Sequence, residues 1–306
     1  MRVLLTGVSG FIGRRLFNRF AERGDTVTGL VRSPVNLSGG ETVVVPRLTP
    51  ENIGAVISGR SIDVVVNLAA AGVTPSDRDP STLTQINSFL PCALAVIARD
   101  AGAKAFIQIG SSAEYARTAT SEPITEESPL ENEKLYGASK AAAALLTQAF
   151  GAQIALPVMV LRLFNVFGPG EAPHRLLPSL VTKLNKGQGV SLSAGTQIRD
   201  FIHVDDACAG ITAAVDALLA NPALAGCYNL STGIGTTVKD FALIVAGAMQ
   251  SEIELLRFGE LLMRPDDLPY VVGCPDKFTQ KIGWKPNLSL LEGVSKSVKE
   301  LIEADR

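Results

Sequence analysis

The stretch Thr6-Gly-Val-Ser-Gly-Phe-Ile-Gly13 joins a short apolar run, Arg2–Thr6, to a segment of helical periodicity, Phe11–Arg23. Each glycine answers a different steric demand. Gly7 permits a tight turn off the strand, Gly10 lets the backbone approach a pyrophosphate, and Gly13 lets the helix lie against the strand. The N–H groups at the helix start then face the phosphates. Glycine-rich turns are common, so the signal lies in the strand–turn–helix context. In that context the turn reads as a dinucleotide site, and it commits the following residues to a parallel sheet with crossover helices.

The next segments keep the alternation. Thr26–Val31, Thr42–Val45, Asp63–Leu68, Ala105–Ile109 and Val158–Phe164 have strand length and read as buried on both faces. Thr82–Ala101 and the alanine-rich Tyr136–Phe150 have helix length. This pattern predicts an α/β fold, a Rossmann-type doubly wound parallel sheet with a smaller C-terminal α/β substrate-binding lobe. Pro169, Gly170 and Pro173 mark the change of pattern. Residues 1–167 plus about 200–224 are expected to form the dinucleotide-binding domain. About 168–200 and 225–290 are assigned to the smaller lobe, and 288–306 to a C-terminal helix. Val204–Leu219 has helical spacing and is expected to return to the first lobe.

Composition removes several classes. Among 306 residues, 46% are apolar and the net charge is −2, so no field exists for gripping nucleic acid or an anionic membrane. An anionic ligand must be held by locally placed arginines and helix N-termini. Cys92, Cys208, Cys227 and Cys274 are scattered without a C-x-x-C pair and read as small buried residues of a reducing cytosol. With only His174 and His203, a histidine-rich metal site is excluded and no metal is expected. The opening RVLLTG is too short an apolar run for a leader, and no run reads as a membrane span. A cytoplasmic location is expected.

The end of the second strand reports on the dinucleotide. An acid there accepts hydrogen bonds from the adenosine ribose diol and repels a 2′-phosphate. This chain has Leu30-Val31-Arg32-Ser33 instead. Arg32 offers a charge-assisted grip on a 2′-phosphate and Ser33 a further donor, so NADP(H) is favoured over NAD(H).

Tyr136 and Lys140 stand four apart on a helix and so share a face. A lysine charge, with that of an oxidised nicotinamide, is expected to pull the phenol down from its usual pKa of about 10. Tyr136 then serves as proton donor to a carbonyl or acceptor from an alcohol. Strand Ala105–Ile109 delivers Ser111 and Ser112 at its carboxyl end, where open α/β sheets bind ligands.

With those residues in place, the chain resembles the extended short-chain dehydrogenase/reductases of the nucleotide-sugar epimerase/dehydratase family over essentially its full length. The motifs are TGVSGFIG at 6–13, NLAA at 67–70, GSSAEY at 110–115, YGASK at 136–140, RLFNVFGPG at 162–170, RDFIHVDD at 199–206 and RPDD at 264–267. The resemblance implies Ser111, Tyr136 and Lys140 as the catalytic set. It implies cofactor contacts from Gly7, Ser9, Gly10, Phe11, Ile12, Gly13, Arg32, Leu68, Ala69 and Ala70, with Tyr136 and Lys140. A nucleotide-sugar substrate would be held by Ser112, Asn165, Arg199, Arg264 and Asp267. It also implies homodimerisation through Thr82–Ala101 and Tyr136–Phe150. Asp205 and Asp206 read as N-terminal caps of the following helix, and His203 as a packed or hydrogen-bonded histidine.

Four outcomes share this scaffold. Dehydratases of the group carry Asp-Glu directly after the catalytic Ser/Thr; here those places hold Ser112 and Ala113. Glu114 comes one place late and is expected to point away. Dehydration is disfavoured. Reduction of a nucleotide-linked 4-keto-6-deoxy sugar stands first, because Arg32 favours a consumed NADPH and the motifs most resemble 4-keto-6-deoxyhexose reductases. A 4-epimerase recycling bound NAD(P) stands second, and a non-catalytic NADP(H) sensor third, since a pure binder has no need of the Tyr–Lys pair. Arg32→Asp is expected to weaken NADPH binding selectively in a fluorescence titration, and equal NADH and NADPH affinities in the parent would defeat the cofactor argument.

Overall fold

The computed structural model describes residues 1–74, 78–117, 121–263 and 267–304. β1 (Arg2–Thr6) leads through the glycine turn into α1 (Phe11–Glu22), then β2 (Thr26–Val31), β3 (Glu41–Val44), α2 (Pro50–Ile57) and β4 (Val64–Asn67). A long helical stretch follows as α3 (Pro80–Leu83), a π-helical turn at Thr84–Phe89, and α4 (Leu90–Asp100). Pro91 explains the wide turn: it lacks an N–H for the Asn87 carbonyl, and its ring crowds that carbonyl. β5 (Ala105–Ser111), α5 (Leu135–Gln153) and β6 (Val158–Leu163) complete the expected alternation, each within a few residues of its sequence-derived bounds.

These strands pair in parallel in the order β3-β2-β1-β4-β5-β6, with β10 (Gly226–Leu230) added at the β6 edge. β1 and β4 carry the apolar runs Val3–Leu5 and Val64–Val66 because helices cover both faces of the sheet. One core packs Leu16, Phe17 and Phe20 of α1 with Ala207 and Ile211 of α7 (Val204–Ala220) against one face. The other face receives Ile53 of α2, Leu94 and Ala98 of α4, and Ala144 of α5. Thus α7 returns to the first lobe. The sequence pattern puts β10 in the smaller lobe, whereas its pairing with β6 makes 226–230 part of the large sheet. Local hydrophobicity cannot tell which sheet a buried strand joins.

The smaller lobe is built on β9 (Ile198–His203), which pairs with β7 (Asn165–Phe167), β11 (Gly235–Thr237) and β13 (Tyr270–Val271). β8 (Val190–Leu192) pairs with β12 (Leu256–Phe258). α6 (Leu176–Leu184), α8 (Val238–Ala248) and α10 (Leu290–Ala304) enclose a third core around Leu180, Phe241 and Val294, while α9 (Asp276–Ile282) packs Phe278 into the first. The C-terminal helix is therefore part of the smaller lobe's core.

Pro80–Asp100, 21 residues, is long and apolar enough by composition to cross a membrane, which corrects the expectation that no run has that character. Half of its most apolar window is buried, with Leu90, Leu94 and Ala98 in the core beneath the sheet. The four cysteines are free; Cys92 and Cys208 are buried, and Cys227 and Cys274 are partly exposed.

Gly7 adopts a left-handed φ of 69°, and a Cβ there would stand 2.8 Å from the Leu68 carbonyl carbon. A Cβ on Gly13 would stand 2.1 Å from the Gly7 carbonyl oxygen, so helix and turn are as close as backbones allow. Gly13→Ala is expected to cost about 1–3 kcal/mol through overpacking, read as a lower denaturant midpoint, together with weaker dinucleotide binding.

Candidate active site

The carboxyl ends of β1, β4 and β5 are tied by a buried polar ladder. Thr6 donates to Asn67 Oδ1 (2.5 Å), and Asn67 donates to Gln108 Oε1 (2.8 Å). The backbone N–H groups of Leu68 and Ala69 donate to Thr6 Oγ1 (3.2 and 3.1 Å), which seats Leu68–Ala70 beside the glycine turn. Gly10 is the N-cap of α1, with no side-chain cap and no acid in the first turn. The positive end of α1 and its first N–H groups therefore face outward over Ser9–Gly13, which suits a pyrophosphate. Arg14 Nε donates to the Ser9 carbonyl (3.3 Å) and braces the turn. Leu30 lies opposite Thr6 in the β1–β2 register, so Arg32 and Ser33, both exposed, emerge at this same edge. The chain thus presents what a dinucleotide requires.

Ser111 ends β5 and Tyr136 lies in the first turn of α5, and their side chains are hydrogen bonded. Lys140, one turn on, is buried and donates from Nζ to the Ile109 carbonyl (2.6 Å). The structure brings the three expected residues together and adds burial to the electrostatics that spacing counts. Burial pushes the Tyr136 phenol up, Glu114 adds to that, and the Ser111 hydrogen bond, Arg78 and Arg175 oppose it. Lys140 is pushed down by burial, with Glu114 opposing. Spacing alone suggests a lowered phenol because it counts the lysine and not the desolvation.

The α5 start is clamped from the π-helical turn. Asn87 Nδ2 donates to Ser139 Oγ (3.0 Å) and to the Ala71 carbonyl (3.1 Å), and the Ala71 N–H donates back to Asn87 Oδ1 (2.8 Å). Ser139 in turn donates to the Tyr136 carbonyl (2.8 Å). One amide therefore joins the NLAA loop to the tyrosine helix. Asn87 gives no sign of this in the sequence, where an asparagine inside a helical segment looks like surface.

Glu114, expected to point away from the site, is fully buried. Its Oε1 accepts from the Ser111 N–H (2.9 Å) in a capping box, and its Oε2 accepts from Arg162 Nε (2.7 Å). Arg162 also donates to Tyr115 Oη (2.9 Å), which donates to Asn229 Oδ1 (2.6 Å). Burial pushes Glu114 up while Arg162, Lys140 and the Ser111 N–H oppose it, and Glu114 holds Arg162 above its usual range. The available signal is a lone arginine within the buried strand Val158–Leu163, because such a charge demands a partner.

The expected substrate residues divide. Ser112 follows Ser111 in a short 3₁₀ turn, and Asn165 opens β7, the strand that joins the two lobes. Arg199 pairs with Asp267 and donates to the Ile198 and Leu268 carbonyls (2.8 and 2.7 Å); Gln197 donates to the same aspartate (3.1 Å). Its neighbour Asp200 is occupied elsewhere, accepting from Thr232, Gly233 and Gly273. Arg264 lies outside the described residues. The cap of α7 is the His203 ring rather than Asp205 or Asp206: its Nδ1 accepts from the Asp205 N–H (3.2 Å), and Nε2 meets Ser297 Oγ (3.2 Å). Asp206 is buried and accepts from the Asn287 and Leu288 N–H groups. Two residues near the site carry no sequence signal. Arg78 lies over the Tyr136 ring, 5.6 Å from its centroid, and Arg175 at the head of α6 faces Glu171 at 3.5 Å. Burial pushes Glu171 up to about 7. Among the described residues, no cluster of histidine, cysteine, aspartate and glutamate could hold a metal.

Residues 3–229 match the profile of the NAD dependent epimerase/dehydratase family. The chain is 25% identical over 304 residues to the CDP-abequose synthase of Salmonella typhimurium, covering 98% of each. It is 25% identical to the GDP-6-deoxy-D-talose 4-dehydrogenase of Aggregatibacter actinomycetemcomitans over 92% of each chain. Among solved structures, the Thermus thermophilus UDP-glucose 4-epimerase in complex with NAD aligns with a TM-score of 0.87 at 26% identity, covering 99% of this chain and 100% of that one.

Arg162→Met strands the Glu114 carboxylate in the core. Equilibrium urea unfolding is expected to show a loss of about 3–5 kcal/mol, the usual result of breaking one side of a buried pair.

Proposed function

Because the chain belongs to the NAD dependent epimerase/dehydratase family, we propose that it reduces a nucleotide-linked 4-keto-6-deoxy sugar, with Tyr136 giving the proton. The observation that carries this reading is the identity of the two residues after Ser111. Elimination needs a carboxyl pair there, and Ser112 and Ala113 supply none. The nearby carboxyl, Glu114, is turned into the core toward Arg162. The site is left with a serine, a phenol and a lysine, the set that carbonyl reduction requires.

The glycine turn from Gly7 to Gly13 would hold a nicotinamide dinucleotide, which would supply the hydride. Ser111 and Tyr136 hold the substrate O4 oxygen between their hydroxyls, and Tyr136 passes its proton to that oxygen as charge develops. Lys140 keeps one N–H on the Ile109 carbonyl, and its charge steadies the phenolate left behind. NADP(H) is the proposed cofactor, on the strength of Arg32. The name of the Aggregatibacter relative, a dehydrogenase at position 4 of a nucleotide-linked 6-deoxy sugar, supports the same chemistry. Arg199 and Arg264 are proposed to meet the substrate diphosphate, Arg199 in exchange for Asp267, with Asn165 and Ser112 nearer the sugar.

A 4-epimerase is the second reading, favoured by the likeness to the Thermus enzyme. On either reading the protein is proposed to be a cytoplasmic homodimer. Phe89 of the π-helical turn and Leu145, Leu146 and Phe150 of α5 are exposed, and Phe89, Leu146 and Phe150 line a groove of about 560 Å³ away from Ser111 and Tyr136. A second copy covering these side chains accounts for their exposure.

The test is NADPH oxidation with a panel of nucleotide-linked 4-keto-6-deoxy sugars. One NADPH consumed per sugar is expected; sugar interconversion without net redox change would instead identify the epimerase, and no turnover with tight cofactor binding a sensor. Tyr136→Phe is expected to retain cofactor affinity and lose kcat by about 10²-fold or more, and an unaffected kcat would remove Tyr136 from the mechanism.

A further inference from the structure

We propose that Gln197 is a specificity residue of the substrate site, its side-chain carbonyl accepting a hydrogen bond from the nucleoside of the bound nucleotide sugar. The proposal rests on the nucleotide-linked substrate of the reading above, and it adds a residue that lies outside the motifs.

Gln197 is 9% exposed, and its Oε1 is a buried oxygen with no hydrogen-bond partner among the described residues. Such orphans are uncommon in a folded chain, because a buried acceptor gives up water without a replacement. The amide cannot turn over to cure this. Its Nε2 donates to Asp267 Oδ2 (3.1 Å), and a carboxylate that also takes the Arg199 guanidinium has no proton to give back. Asp267 therefore fixes which end of the amide is left over. An apolar residue would leave nothing to satisfy, and a glutamate would set two carboxylates together, so the neutral carbonyl calls for a donor from outside the chain.

The place of Gln197 along the β9 path says which part of the ligand meets it. Ile198 packs on one side, where a Cβ at Gly235 would stand 2.8 Å from its Cγ2, while Gln197 and Arg199 both reach Asp267. Asn165, which opens β7 just past the end of β6, pairs in register with Phe201. Arg199 lies two residues and Gln197 four residues upstream of that level, about 7 and 13 Å along an extended chain. Outward from the sheet rim the order is thus Asn165, Arg199, Gln197. A nucleotide sugar has the same order of hexose, diphosphate and nucleoside. With the hexose at Ser111 and Tyr136 and the diphosphate at Arg199, the nucleoside falls at Gln197. Its donors are the ribose hydroxyls and the N–H groups of the base, neutral groups that suit an amide carbonyl. The Asp267 side chain is 26% exposed, so the cluster opens to solvent and to a ligand.

Isothermal titration, with NADPH present in excess to fill the dinucleotide site, compares CDP, UDP, GDP and dTDP with inorganic pyrophosphate, the probe that lacks a nucleoside. The parent is expected to bind at least one nucleoside diphosphate. Gln197→Met is expected to weaken the tightest of them about tenfold and to leave pyrophosphate unchanged. An unchanged nucleoside diphosphate overturns the proposal. So does an equal loss for pyrophosphate, which would mean that Gln197 acts through Arg199 and Asp267. Should Gln197→Met fail to fold, Gln197→Ala carries the same comparison. Analogues of the tightest nucleotide then name the donor. A parent preference of about tenfold over the form lacking a ribose hydroxyl, abolished in the variant, assigns that hydroxyl. The same pattern with an N-methylated base assigns a base N–H, and the proposal falls if neither pattern is seen. A parent that binds no nucleoside diphosphate removes the nucleotide-sugar reading and the proposal together, whereas binding indifferent to Gln197 removes the proposal alone.

Discussion

Seven parallel strands end at one edge, and a buried polar ladder holds that edge in register. Thr6, Asn67 and Gln108 pass hydrogen bonds across β1, β4 and β5 where the chain leaves the sheet. Each of these groups is fully or almost fully buried, so an unmade bond would cost the desolvation of a polar atom. The Thr6 hydroxyl also collects the Leu68 and Ala69 N–H groups. This interaction places the NLAA loop against the glycine turn, where Gly7 alone tolerates the approach. Parallel pairing does the rest: it brings Arg32, Ser111 and the glycine turn to one rim.

The Ser111, Tyr136 and Lys140 group is a second construction laid on that rim. Tyr136 and Lys140 are neighbours through helical geometry, yet their chemistry is set by residues from elsewhere. Asn87 reaches from a π-helical turn that Pro91 imposes, and fixes Ser139 beneath the tyrosine. Arg162 reaches from β6 through Glu114 to Ser111. Burial, rather than the lysine, dominates the ionisation of the phenol. The site is therefore a buried phenol on a rigid seat, with Arg78 over its ring and its Ser111 partner braced by Glu114.

The smaller lobe meets the first through β7 and β9, and its charged groups are largely committed within the lobe. Arg199 is satisfied by Asp267 and two carbonyls, and Asp200 by four donors from the loops at 232 and 273. Any anion reaching Arg199 must compete with a partner already in place.

Taken alone, the sequence determined the α/β class, the order of the first strands and helices, the glycine turn, and the Ser111, Tyr136 and Lys140 set. Each of these is written in local periodicity, in the steric freedom of glycine, or in spacing along one helix. Tertiary structure decided what long-range contact alone can decide. It assigned β10 to the large sheet, turned Glu114 inward to Arg162, gave the α7 cap to His203, and spent Arg199 on Asp267. It also buried Tyr136, because desolvation depends on everything packed around a group and not on its nearest neighbour along the helix. The opening glycines point to a dinucleotide; what surrounds the phenol beside it became legible only with the chain folded.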